Sequence, residues 1–368
     1  MFLKKPKNSR YIDLKLPDQK QEIIIGSDLR DWILKEISSR GYSNIIFFID
    51  KNFASIHKDW LLQIKNVLSP NDIILIKASE ESKSLEFLNS VLERCFKSGI
   101  NRRSCIVAIG GGIVGDIAGF FASVYMRGID FIFIPTTLMA QADTIIYKVA
   151  ISYKLLKNLV GSFYSPVLTV CDIDFLQTLP KNEVVLGLSE VIKHALIDSP
   201  LFLRYLKKNL HLELINWKKY PWKEIIYKSL MVKIKLVMKD PFDKNEFHKG
   251  LSYGHTFANA FESLSKFKFR HGESVSLGMY ASSLVGRKLG ILSVEDFEEQ
   301  KELLQKVGLP VKLPKEIDKE MVISLMRKDK IYTGVDYGLT IVILKRIGKF
   351  KVHKNIDPKI IESVLFSV

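Results

Sequence analysis

Two histidines in the carboxy-terminal half of the chain lie in the sequence settings most suggestive of chemistry. His255 follows a glycine in GHTFANAFES, and His271 begins HGESVSLGM after a polar loop. Both positions are typical of the first turn of a helix, and neutral imidazoles are common metal ligands. Two such histidines can converge on one ion, but a lone histidine there is more often a helix cap or a surface residue. The pair alone leaves both interpretations open.

A metal site needs a third ligand, and the best candidate is Glu190 in GLSEVIKHALID. Glu190, Lys193 and His194 share one helix face, at i, i+3 and i+4. A carboxylate with two neutral imidazoles is a usual ligand set for catalytic zinc and leaves positions open for substrate oxygens. On spacing alone, His194 competes with Glu190 for this role. Three further histidines lie in polar, lysine-rich surroundings and are expected at the surface: His57, His211 and His353.

A glycine run in SCIVAIGGGIVGDIAG (104–119) is the second candidate site. Residues 105–109 are typical of a buried parallel strand, and a helix is predicted from Ile113. A helix N-terminus behind glycines can cradle a phosphate, because no Cβ blocks the approach of a ligand to the backbone. The pattern GGGxxGD differs from the spaced GxGxxG of dinucleotide-binding proteins. Nucleotide binding and a tight structural turn are therefore equal alternatives.

A third set of polar residues lies in the segment 127–166. Cations and hydroxyls stand there near the end of an apolar strand: Arg127, Thr136, Thr137, Lys148, Lys157 and Asn158. These side chains suit a phosphorylated, hydroxyl-rich substrate. A solvated loop with incidental lysines is an equal alternative on the residues alone.

Alternating strand and helix patterns position these residues in the first half of the chain. The runs EIIIG (22–26), NIIFFID (44–50) and DIILIK (72–77) alternate with helix-like segments at 28–40 and 84–98. This alternation predicts a parallel sheet covered by helices. Asp50 ends one of these strands, where it either holds ribose hydroxyls or caps the next helix.

The pattern changes after about residue 176. Long amphipathic segments predict helices at 182–197, 222–239, 255–266, 273–289 and 294–307. A small hairpin is expected around Gly348, with strands at 339–344 and 350–353, followed by a helix from Pro358. We therefore predict an α/β amino-terminal domain of residues 1–175 and a mostly helical carboxy-terminal domain of residues 176–368.

Composition excludes several classes of protein. The chain has 368 residues, 47% of them hydrophobic, which is enough for two cores. The amino terminus lacks an apolar segment and no run of about 18 apolar residues occurs, so we expect a cytoplasmic protein outside the membrane. The net charge of +15 comes from scattered lysines, which favours an anionic small substrate over nucleic acid. Three isolated cysteines, Cys95, Cys105 and Cys171, are typical of buried thiols in a reducing compartment.

Taken together, the motifs resemble the 3-dehydroquinate synthase family of sugar-phosphate cyclases. The matching pieces occur in collinear order over most of the chain: EESKS (80–84), GGGIVGDIAGF (110–120), RGIDFIFIPTTLMAQAD (127–143), KN (157–158), GSFYSP (161–166), TLP (178–180), LSEVIKHALI (188–197), GHTF (254–257), HGESVSLGM (271–279) and RKDK (327–330).

The resemblance implies an NAD- and metal-dependent lyase that converts 3-deoxy-D-arabino-heptulosonate 7-phosphate into 3-dehydroquinate and phosphate. In the implied chemistry a ring hydroxyl is transiently oxidised, phosphate leaves by β-elimination, the hydride is returned, and the opened ring recloses by an aldol step. NAD is thus used catalytically and is not consumed. A homodimer is implied as well.

The resemblance also implies roles for individual residues. The implied metal ligands, for zinc or cobalt, are Glu190, His255 and His271, and His194 falls where the family usually has an aromatic residue. The implied NAD site comprises Asp50, Glu80, Lys83, Gly110, Gly111, Gly112, Asp116, Thr136, Thr137 and Asp143. The implied substrate site comprises Lys148, Asn158, Lys193, Lys233, Asn259 and Lys330, with Arg127 reaching the neighbouring subunit's site.

Several positions depart from the family pattern. The usual SSVGGK is here TIIYK (144–148), which is one residue shorter and lacks both glycines, so we expect a different loop path. His248, Ser252 and Asn259 replace the usual arginine, asparagine and second histidine. These changes lie at the substrate end of the implied site. They favour, as an alternative, a cyclase of sedoheptulose 7-phosphate, glucose 6-phosphate or an amino-sugar analogue.

An activity of a different class is a metal-dependent alcohol or polyol dehydrogenase, which would also contain a glycine run and paired histidines. Lys157 and Asn158, with the other lysines suited to phosphate, argue against a simple alcohol substrate.

Overall fold

The computed structural model describes residues 4–68, 70–153, 156–210, 216–265, 269–312, 318–328 and 339–366. The chain divides into two compact units, Met1–Leu179 and Pro180–Val368. The division falls slightly later than the predicted boundary between residues 175 and 176. Both fold classes are confirmed: the first unit is α/β with a mainly parallel sheet, and the second is mostly helical.

The described part of the amino-terminal unit contains a seven-stranded sheet and a separate hairpin. The strands in chain order are β1 (Arg10–Lys15), β2 (Lys20–Gly26), β3 (Ile45–Asp50), β4 (Asp72–Ile76), β5 (Cys105–Gly110), β6 (Asp130–Pro135), β7 (Val149–Tyr153), β8 (Leu156–Ser162) and β9 (Leu168–Asp172). The sheet order is β1-β2-β9-β6-β5-β3-β4, with β7 and β8 forming the hairpin. The β1–β2 pair is antiparallel, and the other neighbours in the sheet are parallel.

Helices cover both faces of this sheet. They are α1 (Arg30–Ser39), α2 (Lys51–Ile56), α3 (Lys58–Leu68), α4 (Leu85–Lys97), α5 (Gly112–Val124) and α6 (Leu138–Ala142). Successive side chains of a strand point to opposite faces, so Phe47 and Phe48 of β3 belong to two different cores. Phe48 contacts Phe121 of α5, with ring centroids 5.6 Å apart. Burial on both faces explains the near-continuous apolar strand runs in the sequence.

The carboxy-terminal unit consists of helices and one hairpin. Its described elements are α7 (Lys181–Asp198), α8 (Pro200–Asn209), α9 (Trp222–Lys239), α10 (Glu246–Lys249), α11 (His255–Leu264), α12 (His271–Lys288), α13 (Val294–Lys306), α14 (Lys319–Lys328), β10 (Leu339–Arg346), β11 (Lys349–Ile356) and α15 (Pro358–Leu365). The predicted hairpin around Gly348 is confirmed, and Gly348 has the positive φ of 82° that its turn requires. Within the described ranges, no helix has the length and apolar character needed to cross a membrane.

The expected buried cysteines are confirmed, but the expectation for His57 is wrong. Cys95, Cys105 and Cys171 are all buried and free. His57 is only 8% exposed and packs against Phe53 and Phe175. Its polar sequence neighbours point elsewhere, because the ring lies at the junction of α2 and α3, where it closes the core.

The hydrogen bonds of His57 suit the neutral ring. Nε2 lies 3.0 Å from the Thr178 hydroxyl oxygen, and Nδ1 lies 3.4 Å from Arg30 Nη2. Burial, and then repulsion by the Arg30 guanidinium, lower the pKa of His57 to about 4. In the unfolded chain the pKa of histidine is about 6.5. The unfolded chain therefore binds more protons between these values, and the stabilisation present above about pH 6.5 is lost as the pH falls towards 4.

We predict that His57→Gln flattens this dependence. The slope of the unfolding free energy between pH 6.5 and 4 should fall by at most about 1.4 kcal/mol per pH unit, because one titrating group is removed. Urea denaturation at a series of pH values measures the slope. Thr178→Val is the matched control: it removes the hydrogen-bond partner but keeps the titrating ring, so it should lower stability and retain the slope. An unchanged slope in His57→Gln would contradict the assignment.

Candidate functional site

Glu190, His255 and His271 come together in the carboxy-terminal unit. One potential ligand atom from each lies within 4.8 Å of the others. The Nε2 atoms of His255 and His271 lie 3.5 and 3.4 Å from Glu190 Oε1. Ligand atoms bound tetrahedrally to zinc at about 2.0–2.1 Å are themselves about 3.4 Å apart. The three side chains therefore have the types and the spacing to hold one divalent ion.

Glycines allow the three helices that carry these side chains to approach closely. Gly254 precedes His255 and has a φ of 83°. A Cβ on Gly278 of α12 would lie 2.0 Å from the Gly254 carbonyl oxygen, and one on Gly272 would lie 2.4 Å from the Leu186 carbonyl oxygen of α7. Real Cβ atoms do not approach so closely. Gly254 and Gly272, the glycines next to His255 and His271, therefore let both histidines lie close to a neighbouring helix backbone.

Glu190 has the surroundings of an anionic ligand. Its side chain is 1% exposed, and, apart from one ion pair, neither carboxylate oxygen has a hydrogen-bond partner among the described residues. Lys193, one turn along α7, forms an ion pair with Oε2. Burial alone would raise the pKa of Glu190, but the Lys193 ammonium and the two imidazoles hold this pKa well below its usual range. An ionised carboxylate with unsatisfied oxygens fits a metal ion.

Glu262 of α11 orients His271. Its Oε1 lies 2.8 Å from His271 Nδ1, and its side chain is 1% exposed. A carboxylate on the far nitrogen leaves Nε2 facing Glu190, which is the arrangement that orients many metal-bound histidines. Sequence analysis assigned no role to Glu262. The sequence signal that could have identified Glu262 is its position two helical turns beyond His255.

The two histidines differ in charge preference. Burial opposes protonation of His271, but Glu262 and Glu190 outweigh it and raise the pKa of His271 to about 9. Burial and the nearby Lys193 ammonium lower the pKa of His255 to about 4. At neutral pH His255 is ready to bind a metal, whereas His271 releases a proton when an ion binds.

The other predicted site residues of this unit lie as follows. His194 is buried, and its Nδ1 lies 2.8 Å from the Ser229 hydroxyl of α9, so α7 directs it away from the triad and towards α9. Lys233 lies one turn beyond Ser229 on α9 and is half-buried. Asn259, also half-buried, lies one turn beyond His255 on α11 and on the same helix face. Lys330 of the RKDK motif lies outside the described residues, which end here with α14 at Lys328.

Helix α5 presents an uncapped N-terminus at the carboxyl end of β5 in the amino-terminal unit. Its N-cap is Gly111, and no described side chain caps it. A Cβ on Gly112 would meet no atom within 4 Å, whereas one on Gly111 would lie 3.3 Å from Thr137 Cγ2. Free backbone N–H groups behind open space suit the phosphates of a dinucleotide. Gly110 serves packing instead, because its Cβ would lie 2.8 Å from Val114.

A buried lysine connects several candidate cofactor and substrate residues. Lys83 Nζ donates to Asp116 Oδ2 and to Asn158 Oδ1, both at 2.7 Å. Glu80 accepts a 2.5 Å hydrogen bond from the Ser152 hydroxyl and lies 3.8 Å from Lys157 Nζ. These groups come from α5, the β7–β8 hairpin and the 3-10 turn before α4. Folding therefore unites residues that lie far apart in sequence.

Four further candidates lie at or after the carboxyl ends of β3 and β6. Asp50 Oδ1 accepts hydrogen bonds from the backbone N–H groups of Asn52 and Phe53, at 2.7 and 2.9 Å, so the capping alternative is observed. Thr137 likewise caps α6, with Oγ1 accepting from Ala140 N. Thr136 N donates to the Gly110 carbonyl oxygen. Asp143 follows α6 as its C-cap residue.

In the loop that departs from the family pattern, Tyr147 has a left-handed backbone conformation that glycine would adopt without steric cost. Tyr147 has a φ of 61° and a buried ring, and its N–H donates to Ser165 Oγ at 2.7 Å. The next residue, Lys148, places Nζ 6.0 Å from the centroid of the Phe163 ring. The hydrogen bond of Tyr147 N–H to Ser165 and the contact with the Phe163 ring thus both restrict the position of Lys148.

We predict that Gly278→Ala damages the metal site through the backbone. The added methyl group pushes on the Gly254 carbonyl and so displaces His255, costing about 1–3 kcal/mol of stability and at least about tenfold in zinc affinity. Thermal unfolding and chelator competition measure the two effects. Gly286→Ala on the same helix is the control: its Cβ would lie 3.3 Å from the Leu292 side chain, so both quantities should change little. Zinc affinity retained in Gly278→Ala would contradict the role of this close approach.

Two family models and a sequence relative match this chain over most of its length. The family model described as 3-dehydroquinate synthase N-terminal matches residues 73–186, and the model described as 3-dehydroquinate synthase C-terminal matches residues 187–331. The 3-dehydroquinate synthase of Endomicrobium trichonymphae is 35% identical over 344 residues, covering 92% of this chain and 93% of that protein.

Two solved structures are similar in fold. One is ValA, a 2-epi-5-epi-valiolone synthase from Streptomyces hygroscopicus subsp. jinggangensis with NAD⁺ and Zn²⁺ bound (TM-score 0.84, 21% identity, 96% of this chain and 98% of that one). The other is a 2-deoxy-scyllo-inosose synthase with carbaglucose-6-phosphate, NAD⁺ and Co²⁺ (TM-score 0.84, 23% identity, 97% and 99%). At these identities the structures establish the fold, whereas the family models and the sequence relative establish descent. The chain belongs to the 3-dehydroquinate synthase family.

Proposed function

We propose that this protein is an NAD- and metal-dependent carbon-oxygen lyase that converts 3-deoxy-D-arabino-heptulosonate 7-phosphate into 3-dehydroquinate and phosphate, a step of aromatic amino-acid biosynthesis in the shikimate pathway. The observation that carries the proposal is the Glu190–His255–His271 triad, with a buried carboxylate and two half-buried imidazoles, in a chain that aligns over nearly its whole length with a 3-dehydroquinate synthase. A divalent ion, zinc or cobalt, would be held by these three side chains.

The bound ion would act as a Lewis acid that polarises a substrate hydroxyl, and NAD would accept and return one hydride. The nucleotide would lie over Gly111 and Gly112, with its phosphates at the N-terminus of α5. Lys83 would hold Asp116 in place for hydrogen bonding to the cofactor, because its ammonium lies 2.7 Å from that carboxylate. Further proposed NAD contacts come from the same strand edge: Asp50, Glu80, Gly110, Thr136, Thr137 and Asp143.

The substrate is doubly anionic at its phosphate and carries a carboxylate, so it requires several cations. We assign this role to Lys148, Lys193, Lys233 and Lys330, with Asn158 and Asn259 as hydrogen-bonding partners of hydroxyl groups. Lys193 is the best placed of these, because its ammonium already contacts the metal ligand Glu190. It would therefore lie beside the oxygen that the ion polarises.

We further propose a cytoplasmic homodimer in which Arg127 reaches the partner's substrate. Met126 and Arg127 have φ values of 51° and 68°, and Gly128 follows with 118°. Two consecutive non-glycine residues in this region carry backbone strain, and strain of this kind clusters at functional sites. The turn presents Arg127 and the 47%-exposed Met126 to the outside of the unit. The three free, buried cysteines agree with a reducing compartment.

A second candidate function is cyclisation of a different sugar phosphate. His248 stands where the family usually has an arginine, and its Nδ1 lies 3.3 Å from the Asp240 carbonyl oxygen at the end of α9. A ring held there replaces a bidentate guanidinium with at most one hydrogen bond to a substrate carboxylate. Sedoheptulose 7-phosphate and glucose 6-phosphate lack that carboxylate, so the change favours them. A dehydrogenase differs from both candidates by accumulating NADH stoichiometrically.

Phosphate release distinguishes these activities. The metal-loaded protein with catalytic NAD⁺ is offered 3-deoxy-D-arabino-heptulosonate 7-phosphate, sedoheptulose 7-phosphate and glucose 6-phosphate in separate reactions. We expect release from the first substrate without net NADH formation. Release from one of the others alone would support the second candidate, and NADH formation with an alcohol substrate but no phosphate release would overturn both.

We predict that His271→Ala loses the metal and abolishes phosphate release, because it removes one of the three ligands and leaves Glu262 without its partner. Metal content after dialysis and the turnover rate are the two measurements. His353→Ala, which changes a histidine of β11 outside the triad, should retain both. Full metal content and rate in His271→Ala would rule out the proposed ligand set.

A further inference from the structure

Glu190 and Lys193 form an ion pair that is almost completely buried. Their side chains are 1% and 2% exposed, and they lie on consecutive turns of α7. Apart from this ion pair, no described residue donates a hydrogen bond of normal geometry to either Glu190 oxygen. An isolated buried carboxylate costs several kcal/mol, so this ion pair is a requirement of the folded protein.

The ammonium and a metal ion would compete for the same carboxylate. Lys193 pairs with Oε2, while the Nε2 atoms of both histidines lie about Oε1 at 3.5 and 3.4 Å. The second acid of the site, Glu262, is already engaged by His271 Nδ1 at 2.8 Å. A divalent ion bound to Glu190 therefore supplies the compensating charge itself and leaves the Lys193 ammonium in excess.

We propose that Lys193 is an internal counter-ion that neutralises Glu190 in the metal-free protein and is released by metal binding to hold an anionic oxygen of the sugar phosphate. The inference rests on the proposed function for the identity of the ligand. A counter-ion role explains why the proposed substrate-binding lysine lies one helical turn from a proposed metal ligand and is buried with it. Metal occupancy and the availability of the substrate-binding cation become coupled, because one carboxylate serves both.

Lys193→Met tests the inference, since methionine keeps the length of the side chain and removes its charge. Chelator-stripped Lys193→Met should melt about 10 °C below the stripped wild-type protein, because Glu190 loses the cation that contacts Oε2. With Zn²⁺ alone as the probe, its zinc affinity should rise at least about tenfold, because a competing positive charge is gone. A merely structural lysine would lower both stability and zinc affinity. Unchanged or weaker zinc affinity in the variant overturns the inference.

Lys83→Met is the matched control, because Lys83 is a buried lysine paired with a carboxylate in the other unit. It should lower the melting temperature and leave zinc affinity unchanged. An equal rise in zinc affinity in this control would overturn the inference, since the effect would not belong to the Glu190 pair.

A double variant guards against failure of Lys193→Met to fold without metal. Glu190→Gln combined with Lys193→Met removes both charges, so the stripped double variant should melt above stripped Lys193→Met. No recovery in the double variant overturns the inference. Wild-type protein that does not bind Zn²⁺ would overturn the proposed function and this inference together. Wild-type binding with an unaltered response in Lys193→Met would overturn the inference alone.

Discussion

The buried negative charge of Glu190 is the constraint on which the carboxy-terminal unit depends. A carboxylate in a low-dielectric interior must be balanced, and here Lys193 and two imidazoles surround it. These groups reach it only because α12 approaches the backbones of both α7 and the start of α11. The glycines at the helix contacts permit that approach, at the expense of tolerance to any larger residue. Balancing the charge of Glu190 therefore requires the close packing of these helices, and the resulting arrangement suits a divalent ion.

The amino-terminal unit uses a different physical principle. Its parallel strands end at one edge of the sheet, where the following backbone groups are not all hydrogen-bonded to a neighbouring strand. The glycine run keeps the start of α5 open, while Gly115 and Gly119 let the same helix lie on the sheet: a Cβ on either would lie under 3 Å from Phe133 or Val149. One motif thus combines an open helix start with close packing. The turn and nucleotide interpretations of the glycine run are compatible.

The substrate end of the proposed site is where the chain departs most from its family. Tyr147 adopts a left-handed backbone conformation that costs an ordinary residue roughly 1–2 kcal/mol. Burial of its ring and the hydrogen bond to Ser165 offset this cost. A loop without glycines can thus still adopt a left-handed backbone conformation directly before Lys148. At the other departure, His248 lies 3.3 Å from the Asp240 carbonyl oxygen, so its ring is held by the end of α9.

Sequence alone predicted the element types and the order of the motifs, and it narrowed the triad to His255, His271 and either Glu190 or His194, between which the family resemblance favoured Glu190. Periodicity of apolar residues and helix-start signals are local properties, so they survive without tertiary information. The same local signals placed Asp50 at a strand end and predicted the hairpin around Gly348, both of which the structure contains.

Which neighbour each side chain contacts depends on how the helices and strands pack in the folded chain. Glu190 and His194 lie one turn apart on α7, yet one faces the two histidines and the other faces Ser229, because α7 is buried on nearly all sides and contacts several helices. Helical spacing shows which residues share a face, but not what packs against that face. For the same reason, the burial of His57 and the role of Glu262 as the partner of His271 could be found only in the folded protein.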